Sequence, residues 1–442
     1  MRKDKDFYKK LSGLMIPLAF QNFMLAAVSA GDSAMLGFVD EKAMAAVSLA
    51  GNIQFVENMV LSSIVCGGTI MTAQYWGKGD KRTIGRLFGL ILRYAAAVSA
   101  LFAVVSAVFP EFLMTLFTNE SELITSGAEY IRIASVSCLI TGITQCWLCV
   151  MKTTGQTKQS TIISTFALVL DTVLNAVFIL GLGMGVMGAA LTTSIARVIE
   201  FVIVLVYTKK MVVKPDFKRV SSELNRDFIK CSVPMLINAM TWGMGATMYS
   251  VIIGHLGTVI TAANSVANIV RQLAISVCRG LGSGGEIMLA NVLGAGDMVK
   301  GKEYGRRLSR LSVLFGVFGA GLAFVFGFAL SGLMTLSFEV RQELNIMIII
   351  SAFYMVWLSI NTVVICGIFT AGGDTAFDAY SVAVTMWLII LPIAALAAFV
   401  WKVEPIVVYF IISLDEVVKI PWVYAHYKKY KWLRNITREE VE

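Results

Sequence analysis

LSGLMIPLAFQNFMLAAVSAGDSAMLG, residues 11–37, carries one charged side chain, Asp32, near its far end. About twenty such residues make one helical crossing of a roughly 30 Å hydrocarbon core. The basic stretch MRKDKDFYKK in front imitates a secretory signal, but the apolar run is longer than a signal's hydrophobic region. A matching segment, CSVPMLINAMTWGMGATMYSVIIG, recurs at 231–254, where cleavage would make no sense. Residues 11–37 therefore read as the first of a series of transmembrane helices.

The rest of the chain agrees. Of 442 residues 57% are hydrophobic and only 15% charged, with mean hydropathy +0.75. Soluble domains run near 25% charged. The apolar runs are long and continuous, where a membrane β-barrel would alternate. They predict helices near 11–37, 45–75, 85–109, 124–150, 160–181, 187–207, 229–255, 261–290, 306–331, 343–369, 377–400 and 404–426. The one substantial polar linker divides the chain into an N-terminal six-helix lobe (1–208), a linker (209–228) and a C-terminal six-helix lobe (229–442) ending in a basic tail. The expected class is an all-α integral membrane protein.

A net charge of +8 raises the question of nucleic acid. The basic residues, however, sit in short loops and at the termini, as topology signals do. Lys78, Lys81, Arg82 and Arg86 mark one loop, and Lys300, Lys302, Arg306 and Arg307 another. The opposite side holds little beyond Lys42, Arg341 and Lys402. By the positive-inside rule both termini and the linker are cytoplasmic, in a multi-pass protein of the cell membrane. All seven cysteines lie in or beside apolar segments and read as small hydrophobes. Two scattered histidines, His255 and His426, make no metal cluster, and no cofactor is expected. Neither GMGVMG (183–188) nor CWLC (146–149) has the context of a nucleotide or redox motif, and no nucleophile–base set appears.

The halves are copies. Pro17 and Pro234, Gly37 and Gly254, Ala46 and Ala263, and Ser48 and Ser265 each stand 217 residues apart. So do Gly67-Gly68 and Gly284-Gly285, and the turns GKGD (77–80) and GAGD (294–297). TTGQTK echoes AGGDTA near Gly155 and Gly373. The GxGD turns read as tight connections that need positive φ. Six helices per copy relate the lobes by an axis along the membrane normal, with a substrate path in a central cavity between them.

The helix-1 proline, the Asp-x-x-x-x-Gly of DSAMLG (32–37), AQYWGKGD (73–80) and LGLGMGVMGAALTT (180–193) together resemble the multidrug and toxic compound extrusion (MATE) family. The likeness covers nearly the whole chain and is nearest to the DNA-damage-inducible-type bacterial branch. It implies two six-helix lobes around a central cavity and antiport of organic, often cationic compounds against Na⁺ or H⁺. Asp32 falls where the family has its helix-1 acid. On helix 5 that branch has Asn and then Asp four residues later; here Asp171 and Asn175 stand in the reverse order. Helices 7 and 10 lack acids, so the second-lobe acidic site of the norfloxacin-transporter-type branch is unmatched.

A carboxylate at membrane depth costs ~3 kcal/mol at a helix centre and usually has a partner or an aqueous cavity. Asp32, Glu57, and the one-turn pair Asp171 and Asn175 all fall in the middle or outer half of the first lobe. They are the expected cation-coupling set, through oxygen ligands for Na⁺ or a protonatable carboxyl. Gln21, Asn22, Asn238, Met240, Trp242, Met244 and Arg279 are candidate cavity residues, and Pro17 and Pro234 candidate kinks. Glu200, Glu286, Asp415 and Glu416 read as structural pairs with Arg197, Arg271, Arg279 and Lys419.

The expected function is secondary-active export of small, cationic or amphipathic organic compounds by a monomer in the lipid bilayer, by alternating access. A lipid-linked oligosaccharide flippase of the same superfamily is the alternative, and a cavity-facing Arg279 would favour it. A non-transporting receptor or scaffold is the alternative of another class.

Overall fold

The structure, a computed structural model, describes residues 2–37, 41–218, 220–334 and 336–438, without side chains at 2–4, 29–30, 32–37 and 41–43. Among the described residues the regular elements are helices. The first half forms α1 (Arg2–Gly37), α2 (Glu41–Lys78), α3 (Lys81–Val108), a short α4 (Pro110–Thr115), α5 (Ser121–Thr153), α6 (Thr157–Asn175) and α7 (Gly185–Tyr207). The second forms α8 (Ser222–Gly254), α9 (Thr258–Gly294), α10 (Met298–Leu333), α11 (Phe338–Val363), α12 (Ala376–Val382), α13 (Leu391–Ala395), α14 (Pro405–Ile412) and α15 (Asp415–Lys428). Wide i→i+5 turns extend α6 over Ala176–Gly181 and α11 over Val364–Phe369, and join α12 to α13.

Ten helices among the described residues are long and apolar enough to cross a membrane. Two more complete the twelve. One is α9, which carries Arg271, Arg279 and Glu286; the other breaks between α14 and α15. The expected twelve-helix, twofold-repeated membrane fold is the one observed.

The repeat persists in detail. Asp80 caps α3 by accepting from Thr83 N at 2.9 Å, and Asp297 caps α10 by accepting from Lys300 N at 3.0 Å. Gly79 and Gly296 take φ of +84° and +79°, where a side chain would be strained. Gly68 packs against Ile91, and its counterpart Gly285 against Leu308, the counterpart of Ile91.

Backbone contacts divide the chain into two compact units. One comprises Met1–Ala26, Ala73–Gly79 and Val233–Glu442, the other Ala27–Thr72 and Asp80–Ser232. In the first, α9 touches the backbone of α1: a Cβ on Gly280 would stand under 3.0 Å from Ala19, and one on Gly284 at 3.0 Å from Met15 N. Small residues one turn apart allow such close approach between membrane helices. After α15 the tail folds back over α10, burying Trp432 completely against Gly305. Arg434 Nε then donates to Gly372 O at 2.7 Å, and Ile436 N to Gln74 Oε1 at 2.9 Å.

In the second unit the stretch after α7 straps α3 in the same way. Asp216 N donates to Gly85 O at 2.9 Å, and Gly89 lies against Asp216 O. Part of the presumed linker is therefore a packed element that the C-terminal tail repeats. Its polarity hides this, because its contacts are made by backbone groups.

Candidate functional site

The second unit holds all four expected coupling residues on its helices. Asn175 ends the regular part of α6 and is 3% exposed. The Thr192 hydroxyl, on α7, donates to Asn175 Oδ1. Directly after Asn175 the helix widens, a distortion frequent at functional sites. Asp171 lies one turn earlier, half-buried, with its Oδ1 shielded from solvent. Glu57 on α2 is 3% exposed and lies beside Cys138 of α5. Its Oε1 has no hydrogen-bond partner among the described residues. One turn before it, Gln54 Oε1 accepts from Tyr130 of α5 at 3.4 Å. Glu57 thus faces α5 while Asn175 faces α7. Asp32 lies in the last turns of α1, and its side chain is outside the described residues. Amide, hydroxyl and carboxylate oxygens are hard donors of the kind that hold Na⁺, and the carboxylates also accept protons.

The candidate cavity residues are placed differently from one another. Met240, Trp242 and Met244 are exposed on α8, and Gln21 is half-buried on α1. Asn22 Nδ2 donates back to Leu18 O at 2.9 Å within α1. Asn238 Nδ2 donates to Asp378 Oδ2 at 2.8 Å. Asp378, 4% exposed in α12, escaped sequence reading because AGGDTAFDAY looks like loop polarity. Arg279 is exposed on α9, near Tyr354 and Cys366. Pro17 sits between Met15 and Ala19, two of the places where α9 meets α1, and α1 and α8 continue as helices through Pro17 and Pro234.

Two of the four acids expected in structural charge pairs have one. Arg197 meets Glu200 at 2.8 Å and Lys419 meets Glu416 at 2.6 Å. Asn361 Nδ2 donates to the other Glu416 oxygen at 2.7 Å, and Arg271 lies 5.6 Å from the ring centres of both Tyr354 and Tyr409. Asp415 Oδ1 accepts from Glu416 N at 2.7 Å, but Asp415 has no ion pair among the described residues, and neither has Glu286. Glu286 is 7% exposed, and its Oε1 has no hydrogen-bond partner there. The second half therefore does bury carboxylates, on α9, α12 and α15.

Two homologous sets of six apolar helices, both with polar side chains buried at membrane depth, have the build of a multi-pass membrane transporter and not of an enzyme. The MatE family description matches residues 17–177 and 234–396, one copy beginning at each helix-1-type proline. The chain belongs to the MatE family. It is 22% identical to the "Uncharacterized transporter YisQ" of Bacillus subtilis, over 90% of this chain and 89% of that one. It is likewise 22% identical to the "Probable multidrug resistance protein YoeA" of the same organism, over 98% and 96%. Among solved structures it is similar to the Vibrio cholerae MATE transporter VcmN in the bent form, with TM-score 0.87, 19% identity and coverage of 98% of each chain.

Proposed function

We propose that this protein is a secondary-active exporter of small organic compounds, cationic or amphipathic in character, driven by antiport of Na⁺ or H⁺. In this reading the lobes 1–208 and 229–442 alternate the access of a central cavity, with residues 209–228 and both termini in the cytoplasm. A monomer of the DNA-damage-inducible-type branch carries out the cycle. The observation that carries the reading is the Asn175–Thr192 contact, with Asp171 on the same face of α6. Polar and ionisable residues at membrane depth are rare, and where they gather they mark ion or substrate paths. Asp32 supplies the second carboxylate, and Glu57 adds a third on α2. Ion binding favours one state only through a difference in affinity between the two, so the site has to change as α1 bends at Pro17. The name of YoeA, "Probable multidrug resistance protein", supports the substrate class.

The test is efflux of a fluorescent organic cation from proteoliposomes under separate Na⁺ and pH gradients. Asp32→Asn and Asp171→Asn should abolish gradient-driven flux while substrate binding survives. Full coupling in both variants would refute the site. One observation favours a second substrate class: exposed Arg279 suits an anionic headgroup, as in a lipid-linked oligosaccharide flippase. Arg279→Gln should then abolish transport of such lipids and leave cation efflux intact.

A further inference from the structure

At the basic end of the first unit, two adjoining cavities of about 340 and 290 Å³ open between α1, α9 and α10. Lys9 and Lys10 of α1 and Lys300 of α10 line the larger one. None of the three has an ion-pair partner among the described residues. Asp297, in the lining of the smaller cavity, is engaged in capping α10 through Lys300 N; Asp6 and Glu303 also lie near Tyr304, and Glu303 is paired with Arg307. Three lysines thus line one concave site, with Lys300 Nζ over the Tyr304 ring.

The remaining lining is amphipathic. Leu14, Met288 and Val292 form an apolar wall, and Tyr304 is 5% exposed. Gly13, Ile16 and Phe20 continue the face of α1 that bears Lys9, and Ile16 and Phe20 are 59% and 50% exposed. A free anion has no use for that apolar stripe, whereas an acyl chain does. One polar atom asks for a donor: Asn291 Oδ1 is buried without a hydrogen-bond partner among the described residues.

We propose that this pocket binds an anionic phospholipid of the phosphatidylglycerol class. Lys9, Lys10 and Lys300 take the phosphodiester, a headgroup hydroxyl donates to Asn291 Oδ1, and an acyl chain lies along Gly13, Ile16 and Phe20. Basic pockets between membrane helices on the cytoplasmic side hold lipid headgroups by the same chemistry. The bound lipid would brace α1 just below Pro17, where α9 meets it.

Native mass spectrometry of purified protein with phosphatidylglycerol and phosphatidylcholine tests the assignment. Wild type should retain phosphatidylglycerol selectively, and Lys9→Gln/Lys10→Gln/Lys300→Gln should hold it roughly a hundredfold less tightly. Lys9→Arg/Lys10→Arg/Lys300→Arg should keep it. Lys158→Gln/Lys230→Gln/Lys402→Gln, which removes equal charge elsewhere, should also bind normally. Equal loss in the two Gln triples would overturn the proposal in favour of general surface attraction. Complete displacement by glycerol phosphate or inorganic phosphate would overturn it in favour of a soluble-phosphate site. Should the first Gln triple melt early in phosphatidylcholine, Lys300→Gln alone decides: undiminished selectivity there rejects the pocket.

Discussion

Gly77 and Gly294 hold reciprocal places where the last turns of α2 and α9 cross. A Cβ on Gly77 would stand under 3.0 Å from Asn291 O, and one on Gly294 equally close to Gln74 O. Both pairs are related by the internal repeat, since Gln74 and Asn291 are themselves 217 residues apart. The crossing is therefore symmetric in sequence and in space, and only residues without a side chain let the two backbones touch.

Adding a methyl group at either glycine should force the helices apart. Gly77→Ala and Gly294→Ala should each cost about 1–3 kcal/mol, as overpacking does. Gly321→Ala, with open space at its Cβ, should be neutral or stabilise by up to about 1 kcal/mol. Thermal unfolding in detergent checks all three. Equal melting of Gly77→Ala and Gly321→Ala would show that the crossing is not tight.

The tail's anchor makes a separate prediction. Trp432 is fully buried against Gly305, and its Nε1 donates to Tyr427 O at 3.2 Å. Trp432→Ala should lose about 3–5 kcal/mol and expose the tail to limited proteolysis. Protection of the tail in that variant would mean that the backbone bonds around Gln74 suffice to hold it.

Lys419 and Glu416 form an ion pair within the protein interior, at 5% and 6% exposure. Removing one partner leaves an uncompensated buried charge, so Lys419→Met should destabilise by about 3–5 kcal/mol. Lys419→Met/Glu416→Gln should recover most of that loss. A double variant as unstable as the single would assign the cost to packing.

Thr192 separates structure from coupling in the N-terminal helices. Thr192→Val removes the hydroxyl that donates to Asn175 Oδ1, a loss of about 1 kcal/mol. Under the proposed function it also lowers gradient-driven efflux several-fold, and Thr192→Ser restores it. Loss of stability with unchanged coupling would make the contact purely structural.

How far such features could be read in advance depended on what creates them. The crossings were legible because a run of apolar residues has one stable state in a bilayer, the helix, with its backbone bonds satisfied internally. The GxGD turns were legible too, since left-handed backbone at Gly79 and Gly296 excludes most side chains. The strap at Asp216 and the tail around Arg434 were not, because backbone carbonyls carry no residue signature. Asp378 was missed for a related reason: whether an acid near a turn ends in solvent or against Asn238 depends on a helix 140 residues away.

By itself the sequence determined that this is a twice-repeated, twelve-helix membrane protein with stray carboxylates at membrane depth, because solvent preference and local backbone strain act on each segment separately. Only the tertiary structure decided that Asn175 meets Thr192, that Glu57 turns to α5, and that three lysines from α1 and α10 share one hollow. Those juxtapositions come from how helices rotate and close upon one another. That rotation is set by small residues at contacts such as Gly280 with Ala19, not by the polarity of the residues that meet.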